Sequence, residues 1–370
     1  MKIIIDDKIP FIHGALEPYA EVYYLPGNRI KSEDVADADA LIVRTRTNIN
    51  EPLLKNSKVR FVVTATIGFD HIDYDYLERA GIAWTSCPGC NSESVAQYMT
   101  ATFIELAHKY SLSLRGKILG IIGAGNVGTK VIKKALALGM NVLVNDPPMA
   151  DIEGKKGFAN LDELVCESDF ITLHVPLYRE GKYKTFHLVD RKFLAAMKPE
   201  AFIINTSRGE IICNTDLKEA LQKKIIRGAA LDVWENEPEI DRELLPLTDI
   251  ATSHIAGYSA DGKANGTAMS VQALSRFFQL GIDTWYPGNI PMPNPIIRLA
   301  KTGMEGIKQA VRATYDIYSD DRLLRNDPGS FEFNRGNYPV RREFHNYTVE
   351  TTERETGKTL RQLGFKVKQI

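Results

Sequence analysis

The stretch from residue 116 to residue 146 constrains the fold more than any other part of the chain. Its apolar run Ile118 to Ile122 has the length and the residue types of a buried parallel strand. A glycine-rich turn, a helix-spaced set of apolar residues and a second apolar run, Val142 to Val144, follow in that order. This succession predicts a βαβ unit of a doubly wound parallel sheet.

The glycines of that turn have separate physical roles. Gly123 permits a tight turn, Gly125 lets the backbone approach a pyrophosphate, and Gly128 lets the helix pack closely on the strand. Asp146 lies 18 residues beyond Gly128, at the distance where an acid binds the adenosine ribose of NAD and repels the extra phosphate of NADP. The pattern predicts an NAD site; the alternative is a glycine-rich structural turn.

Composition limits the function classes. A chain of 370 residues predicts two or three domains, and the net charge of -1 argues against nucleic-acid binding as the main activity. No apolar run is long enough for a membrane span, and the first residues lack the apolar core of a signal peptide, so we expect a cytoplasmic protein. Cys87 and Cys90 form a C-x-x-C, but no second pair completes a zinc site, so we expect no metal.

The first part of the chain predicts a second parallel sheet. Its apolar runs end in two polar loops, Arg44 to Thr47 and Thr66 to Gly68. Because the carboxyl ends of parallel strands meet at one edge, both loops should lie on the same rim. Arg44 and Arg46 suit an anionic, polyhydroxylated substrate, and they are our candidates for binding a substrate phosphate. The alternative is a solvated loop with incidental charge.

The fold expected is α/β, with two doubly wound parallel-sheet domains. We place a flavodoxin-like substrate domain at 1–97 and 256–289, and a Rossmann NAD-binding domain at 98–255. Four prolines between Tyr286 and Pro295 mark the boundary of a small α+β tail, 290–370.

The pattern of the tail predicts a helix from Ile297 to Tyr318, extended segments at 331–333 and 344–349, and a final helix and strand. About 75 residues make a poor independent core, so we expect the tail to serve oligomerisation. Its basic residues could also form a nucleic-acid patch, although a solvated face or a subunit contact is the more ordinary explanation.

Several polar residues follow strands of the NAD domain and should converge near the nicotinamide. Removal of hydride from a hydroxyl-bearing carbon needs a base, for which His254 is suited, and Glu237 can fix the tautomer of its ring. Arg208 can anchor a substrate carboxylate. Asp232 either binds the cofactor or caps a turn, and His174 is a candidate for lining the cofactor crevice.

Together these segments resemble the D-isomer-specific 2-hydroxyacid dehydrogenases. The resemblance rests on the glycine motif and on segments 205–209, 232–238 and 253–257. It implies that Arg208, Glu237 and His254 form the catalytic set. It implies substrate contacts at Thr45, Thr66 and Tyr258, and NAD contacts at Gly123, Gly125, Asn126, Val127, Gly128, Asp146, Val175, Thr206, Ser207, Arg208, Asp232 and Gly257.

Within that family three features point to a branch that oxidises 4-phospho-D-erythronate with NAD in pyridoxal 5'-phosphate biosynthesis. They are Asp146-Pro147-Pro148, Gly257-Tyr258-Ser259 and the long tail, which the resemblance implies is a homodimerisation domain. Two alternatives stay open. One is a related dehydrogenase acting on 3-phosphoglycerate or on glyoxylate and hydroxypyruvate, and the other is a non-enzymatic, NAD-sensing corepressor on the same scaffold.

Overall fold

A computed structural model describes residues 1–154 and 156–370. The chain divides into two compact units, each built from two separate stretches of sequence. The first unit comprises Met1–Asn91 and Ser259–Met292, and the second comprises Ser92–Tyr258 and Pro293–Ile370. The tail after the proline-rich linker therefore groups with the residues around the glycine motif.

The first unit is built on a five-stranded parallel sheet of order β2-β1-β3-β4-β5. Its strands are β1 (Lys2–Asp6), β2 (Glu21–Leu25), β3 (Ala40–Val43), β4 (Phe61–Thr64) and β5 (Ala83–Thr85). Its helices are α1 (Ser32–Val35), α2 (Glu51–Leu54), α3 (Tyr74–Arg79) and, after the return of the chain, α10 (Ala260–Phe278).

Both faces of this sheet are covered, as the apolar runs in its sequence require. Ile3 and Ile5 belong to one buried cluster and Ile4 to another, because successive side chains of a strand point to opposite faces. The strand order is that of flavodoxin-like sheets, which confirms the expected fold class.

The second unit contains a six-stranded parallel sheet of order β11-β10-β9-β8-β6-β7. Its strands are β6 (Ile118–Ile122), β7 (Asn141–Asn145), β8 (Phe170–Leu173), β9 (Phe202–Asn205), β10 (Gly228–Leu231) and β11 (Ile250–Ala251). The helices here are α4 (Ser92–Lys109), α5 (Gly128–Ala137), α6 (Pro147–Glu153), α7 (Leu161–Glu167), α8 (Arg191–Ala196) and α9 (Asn214–Gln222).

The order of this sheet reverses between β6 and β8. After β7 has paired with one side of β6, the chain crosses over and β8 pairs with the other side. Ligands of open α/β sheets bind outside the carboxyl ends of the strands at such a point. The glycine-rich turn follows β6 directly, so the fold places it at the switch point.

The tail adds a small parallel sheet of order β12-β13-β14. Its elements are β12 (Ile296–Arg298), α11 (Gly303–Thr314), α12 (Ile317–Asn326), α13 (Phe331–Gly336), β13 (Thr348–Thr351), α14 (Arg354–Gln362) and β14 (Lys366–Gln369). Three expectations for the tail were wrong. Ile297 lies in a strand rather than in the first helix, and residues 331–333 begin a helix rather than an extended segment. Within the expected extended segment 344–349, residues Phe344–Asn346 form a 3-10 helix and the strand begins only at Thr348.

The tail has no separate core, which explains why it groups with the second unit. Ile307, Val311, Phe344 and Leu360 belong to the same buried cluster as Phe103 of α4, and that cluster also contains residues of β6, β8 and β9. Helix α4 is buried along nearly its whole length because the tail covers it in addition to the large sheet. Among residues 1–154 and 156–370, no helix combines the length and apolar character that crossing a bilayer would need.

Candidate active site

The glycine-rich turn after β6 has a shape that fits a dinucleotide. Gly123 has a φ of +92°, and a Cβ there would lie 2.5 Å from the carbonyl oxygen of His174. A Cβ on Gly128 would lie 2.1 Å from the carbonyl oxygen of Gly123. A Cβ on Gly125, in contrast, would meet nothing within 4 Å. Two glycines are thus required by packing, whereas the third borders open space that a pyrophosphate needs.

Asp146 is tied to this turn directly. One carboxylate oxygen, Oδ2, accepts the N–H of Ala124 at 2.8 Å, and the other, Oδ1, accepts the N–H of Met149 at 3.0 Å and so caps α6. Each carboxylate oxygen can accept a further hydrogen bond. The structure therefore brings the acid and the glycine turn together, with acceptor capacity suited to ribose hydroxyls.

The loop after β8 forms a second wall beside the turn. A Cβ on Gly123 would also lie 2.8 Å from Cγ1 of Val175, so these two predicted cofactor residues are neighbours. His174 lies between the hydroxyls of Thr172, at 3.1 Å from Nε2, and Thr206, at 3.5 Å from Nδ1. Burial lowers the pKa of His174 to about 3, so its ring is neutral at ordinary pH.

Arg208 extends from a tightly built loop after β9. Asn205 holds this loop from both ends: its Oδ1 accepts from the N–H and the hydroxyl of Ser207, and its Nδ2 donates to the carbonyl oxygen of Arg208. The neighbouring Gly209 presses on the next loop, since a Cβ there would lie 1.9 Å from the backbone of Trp234. The loop of Arg208 and the loop leading to Glu237 are therefore in direct contact.

Glu237 and His254 are joined by a hydrogen bond. The Nδ1 of His254 lies 2.8 Å from Oε2 of Glu237, while Oε1 of Glu237 accepts the N–H of Trp234 at 2.9 Å. Burial by itself raises the pKa of Glu237, but the charge and hydrogen bond of His254, the Trp234 N–H and the charge of Arg335 outweigh it. The net pKa lies below its ordinary value, so Glu237 is a carboxylate that accepts the Nδ1–H of the histidine.

The loop that carries His254 is held by Asp232. His254 has a φ of 55°, a left-handed conformation that surrounding contacts must maintain. The carbonyl oxygen of Asp232 accepts the N–H of His254 at 2.7 Å. Its buried carboxylate accepts the N–H groups of Ile255 and Ala256, at 2.8 and 2.9 Å, and the hydroxyl of Thr252. Of its two expected roles, holding the turn is thus observed, and cofactor binding stays a prediction.

The remaining predicted substrate residues divide between the units. Thr45 and Arg46 are exposed in the loop after β3 of the first unit, and Thr66 bonds to the hydroxyl of Thr64 at 2.7 Å and to the carbonyl oxygen of Gly68. Arg44 donates two hydrogen bonds, of 3.2 and 3.3 Å, to the fully buried Asp6. Its charge is therefore already compensated within the unit.

Arg46 lies at a polar cavity of about 320 Å³ in the first unit. The cavity is also lined by residues rich in amide and hydroxyl groups, among them Asn28, Thr47, Asn48 and Asn50. An arginine among neutral donors suits an anionic group. Of the two predicted phosphate ligands, Arg46 is the one that lines this cavity, so it is the better placed.

Two arginines of the tail lie near Tyr258, Glu237 and the loop after His254, and the sequence gives no indication of this. The Arg335 guanidinium lies 5.8 Å from the ring centroid of Tyr258, and its charge contributes to the low pKa of Glu237. Arg341 is buried and donates to the loop that follows His254. Both residues belong to a tail segment, 335–370, in which Lys and Arg outnumber Asp and Glu, a pattern that usually covers a surface. Only the packing of the tail against residues 92–258 of the same unit reveals them.

The C-x-x-C pair is part of a core. Cys87 and Cys90 are buried in the first unit, and the Cys87 thiol lies 3.3 Å from the carbonyl oxygen of Gly266. Burial raises the pKa of Cys87 to about 11, so the sulfur stays protonated and is a poor nucleophile. The geometry favours packing over redox chemistry for this pair.

Comparison with known protein families supports this picture. The family described as "D-isomer specific 2-hydroxyacid dehydrogenase, NAD binding domain" matches residues 92–256, and a "Domain of unknown function (DUF3410)" matches residues 293–364. Among solved structures, the TT0316 protein from Thermus thermophilus has a TM-score of 0.64 and 27% identity, covering 78% of this chain and 100% of its own. D-Lactate dehydrogenase from Aquifex aeolicus, complexed with NAD and lactic acid, has a TM-score of 0.63 and 26% identity with the same coverage.

Curated relatives match nearly the whole chain. Erythronate-4-phosphate dehydrogenase from Bacteroides fragilis (strain YCH46) is 50% identical over 95% of this chain and 100% of its own. The protein of that name from Klebsiella pneumoniae (strain 342) is 39% identical over 99% of this chain and 98% of its own. The chain therefore belongs to the erythronate-4-phosphate dehydrogenase family, within the NAD-dependent D-isomer-specific 2-hydroxyacid dehydrogenases.

Proposed function

We propose that this protein oxidises 4-phospho-D-erythronate at C2, with NAD, to (R)-3-hydroxy-2-oxo-4-phosphooxybutanoate, a step in the biosynthesis of pyridoxal 5'-phosphate. The choice of substrate rests on the relatives that carry the name of this activity. The chemistry rests on one observation, the 2.8 Å contact between His254 and Glu237.

In this proposal His254 is the general base. Because Nδ1 donates its hydrogen to Glu237, the lone pair of the ring is on Nε2, which is the atom that takes the proton of the C2 hydroxyl. The proton gives the ring a positive charge, and the adjacent carboxylate stabilises that charge. Because the pKa of Glu237 is lowered, it supplies this negative charge throughout the neutral range.

Arg208 binds the substrate carboxylate and stabilises the oxygen at C2. A guanidinium presents its N–H donors in a plane that matches a carboxylate, and its charge favours the carbonyl that forms at C2. The bonds between Asn205 and the loop of Arg208, and the close packing of Gly209, fix the backbone from which this side chain extends. The precision of that loop is what orientation of a small substrate requires.

The residues of the glycine turn would hold NAD, which would supply the acceptor for the hydride of C2. We assign its pyrophosphate to the turn containing Gly125, Asn126 and Val127, and its ribose to Asp146. Val175 can hydrogen-bond the cofactor only through its backbone. Thr206, Ser207, Asp232 and Gly257 complete the proposed set of NAD contacts.

We assign the substrate phosphate to Arg46, at the polar cavity of the first unit, rather than to Arg44. Thr45, Thr66 and Tyr258 are the proposed hydroxyl contacts of the substrate. All three side chains carry a hydroxyl that can donate to or accept from a polyol.

We further propose that the protein is a homodimer formed through the tail and that it works in the cytoplasm. Support for the dimer comes from large apolar side chains exposed on the tail, including Leu323, Phe333 and Val340. The cysteines at 87, 90, 166 and 213 are free thiols, which suits a reducing compartment.

The test is formation of NADH from NAD and 4-phospho-D-erythronate by the purified protein, followed by absorbance. D-3-phosphoglycerate, D-glycerate and a His254→Asn variant are run beside it, with a 2-oxo acid acceptor in a parallel reaction to reveal turnover hidden by tightly held NADH. Turnover of phosphoerythronate that is lost in the variant supports the proposal. Turnover of another acid would overturn the choice of substrate, and full activity of the variant would overturn the role of His254.

A further inference from the structure

A buried arginine of the tail clamps the loop that carries His254. The Nη2 of Arg341 donates to the carbonyl oxygens of Ala256, at 2.6 Å, and Ile255, at 3.2 Å. It also lies 2.7 Å from the hydroxyl of Ser94, which donates to the carbonyl oxygen of Ala256 at 2.9 Å. Arg341 is 4% exposed, so these bonds are shielded from water.

The clamp acts on the same two residues that Asp232 holds. Asp232 accepts the N–H groups of Ile255 and Ala256, and Arg341 donates to the carbonyl oxygens of those residues. In the loop after His254, the negative charge of Asp232 therefore binds the backbone N–H groups, and the positive charge of Arg341 binds the backbone carbonyl oxygens. Hydrogen bonds to charged groups are stronger than neutral ones, so the pair defines the position of the loop sharply.

Arg341 is itself held by the tail. Its guanidinium lies 4.4 Å from the ring centroid of Tyr315 and 5.5 Å from that of Tyr338. Both tyrosines donate to the buried carboxylate of Asp320, at 2.9 and 2.7 Å. Helix α4 holds the adjoining backbone, because Nε2 of Gln97 donates to the carbonyl oxygen of Arg342 at 3.0 Å.

The cost of burying this arginine indicates that it serves more than packing. Its Nε is buried and has no hydrogen-bond partner among the described residues. A buried N–H without a partner costs free energy, and apolar side chains often replace buried charges at little loss of stability. An apolar side chain would therefore fill this part of the core at a lower cost in folding free energy than Arg341 does.

We propose that Arg341 is a positioning residue for catalysis, through which the tail sets the geometry of His254. This inference rests on the proposed role of His254 as the base. Without the clamp, the loop can relax from the left-handed conformation of His254, and the contact between its Nδ1 and Glu237 lengthens. A catalytic group displaced by about 1 Å can lose about 100-fold in rate.

The test compares Arg341→Met and Arg341→Lys with a matched control, Arg325→Met. Arg325 is also an arginine of the tail, and it also binds backbone carbonyl oxygens of the second unit, those of Leu245 and Thr248 at 2.7 and 2.9 Å. Its hydrogen bonds do not reach residues 253–257, so it controls for general loosening of the tail. Each variant is measured for kcat, for the KM and Kd of NAD, for melting temperature, and for amide hydrogen exchange in the peptide covering residues 253–257.

We expect Arg341→Met to lower kcat by about 100-fold and to speed exchange at Ile255 and Ala256. The Kd of NAD should change by much less than kcat, because Gly257 is one of many proposed NAD contacts. Arg341→Lys, which keeps the charge, should recover part of kcat and is the variant to use if the methionine variant does not fold. Arg325→Met should lower the melting temperature with little change in kcat.

Two results would overturn the proposal: equal losses of kcat in the Arg341 and Arg325 variants, or unchanged exchange at residues 253–257 in Arg341→Met. Exchange and NAD binding need no substrate, so they judge the clamp separately from the reaction. If His254→Asn keeps full activity while Arg341→Met speeds exchange, the base assignment fails and the clamp stands as a structural feature.

Discussion

Replacement of Glu237 by glutamine tests the hydrogen bond between Glu237 and His254, and the size of the fall in kcat can be worked out from the structure. Oε1 of Glu237 accepts the Trp234 N–H and Oε2 accepts from His254. In Glu237→Gln the amide oxygen must face the Trp234 N–H, so the NH₂ group faces Nδ1 of His254. Nδ1 then has to accept, which places the hydrogen on Nε2 and leaves no lone pair to take the substrate proton.

In the opposite orientation, the amide NH₂ group would face the Trp234 N–H. Two donors would then meet without an acceptor, at a cost of about 1–3 kcal/mol. Loss of a charge-assisted hydrogen bond to the protonated ring costs about 1.5–3 kcal/mol more. At about 1.4 kcal/mol per factor of ten, the sum predicts a fall in kcat of about 10²–10⁴-fold. The Kd of NAD should change little, because the change affects proton transfer rather than the glycine turn.

The assay is single-turnover oxidation of 4-phospho-D-erythronate with Glu237→Gln, Glu237→Ala and Glu235→Gln. The last is a matched control, since Glu235 pairs with Nε2 of His187 at 2.6 Å and accepts the Asn214 N–H at 2.8 Å on the same loop. We expect the glutamine variant at 237 to be no more active than the alanine variant, which imposes no tautomer, and the control to stay near wild type. A glutamine variant within about tenfold of wild type, a loss of about 1.4 kcal/mol, would refute the argument.

The same structure supports four further predictions. Gly125→Ala should keep the fold but weaken NAD binding measured by titration, whereas Gly128→Ala should lower the melting temperature, because only the second Cβ meets protein atoms. Arg46→Ala should raise the KM for 4-phospho-D-erythronate by about tenfold, the loss of one charged hydrogen bond, and not that for D-glycerate; equal effects on both would exclude it as the phosphate ligand. Phe333→Glu should shift the proposed homodimer to monomer in sedimentation, and an unchanged sedimentation coefficient would remove Phe333 from the proposed interface. Burial lowers the pKa of His71 to about 4, so the unfolded chain binds a proton that the folded chain does not; the melting temperature should fall as pH drops from about 6.5, and less so in His71→Asn.

The sheets and their cofactor turn could be predicted because local sequence determines them. Runs such as Ile118 to Ile122 are apolar over the length of a strand, and glycines mark the turn that follows. The edge strand Glu21–Leu25 escaped prediction, since two of its five residues are exposed and its tyrosines and acid suit a loop equally well. The same holds for residues 331–333, whose aromatic residues favour a strand until the packing of Phe331 on the core selects a helix.

Of the site, only the residues that follow the carboxyl ends of strands could be predicted from the sequence. Arg208, Glu237 and His254 stand after three successive strands, so their chemistry could be inferred, and the contact of the last two is seen in the structure. Contacts from far along the chain could not be inferred. Arg341 is 85 residues from Ala256, and in the sequence it is one arginine of an Arg-Arg-Glu run that suits a surface. Its burial depends on tertiary packing, which short-range patterns do not encode.

The two-part construction of each unit has a consequence for synthesis on the ribosome. Residues 92–258 emerge well before 293–370, yet the buried cluster around Phe103 needs Ile307, Phe344 and Leu360 from the last stretch to be made. In the first unit, one face of the sheet is covered only after α10 has been made. Val271 and Leu274 of that helix lie in the same buried cluster as Ile3 and Ile5. Both cores thus close late in translation. A premature stop codon near the end would leave an incomplete core and an aggregation-prone chain, not a shorter enzyme.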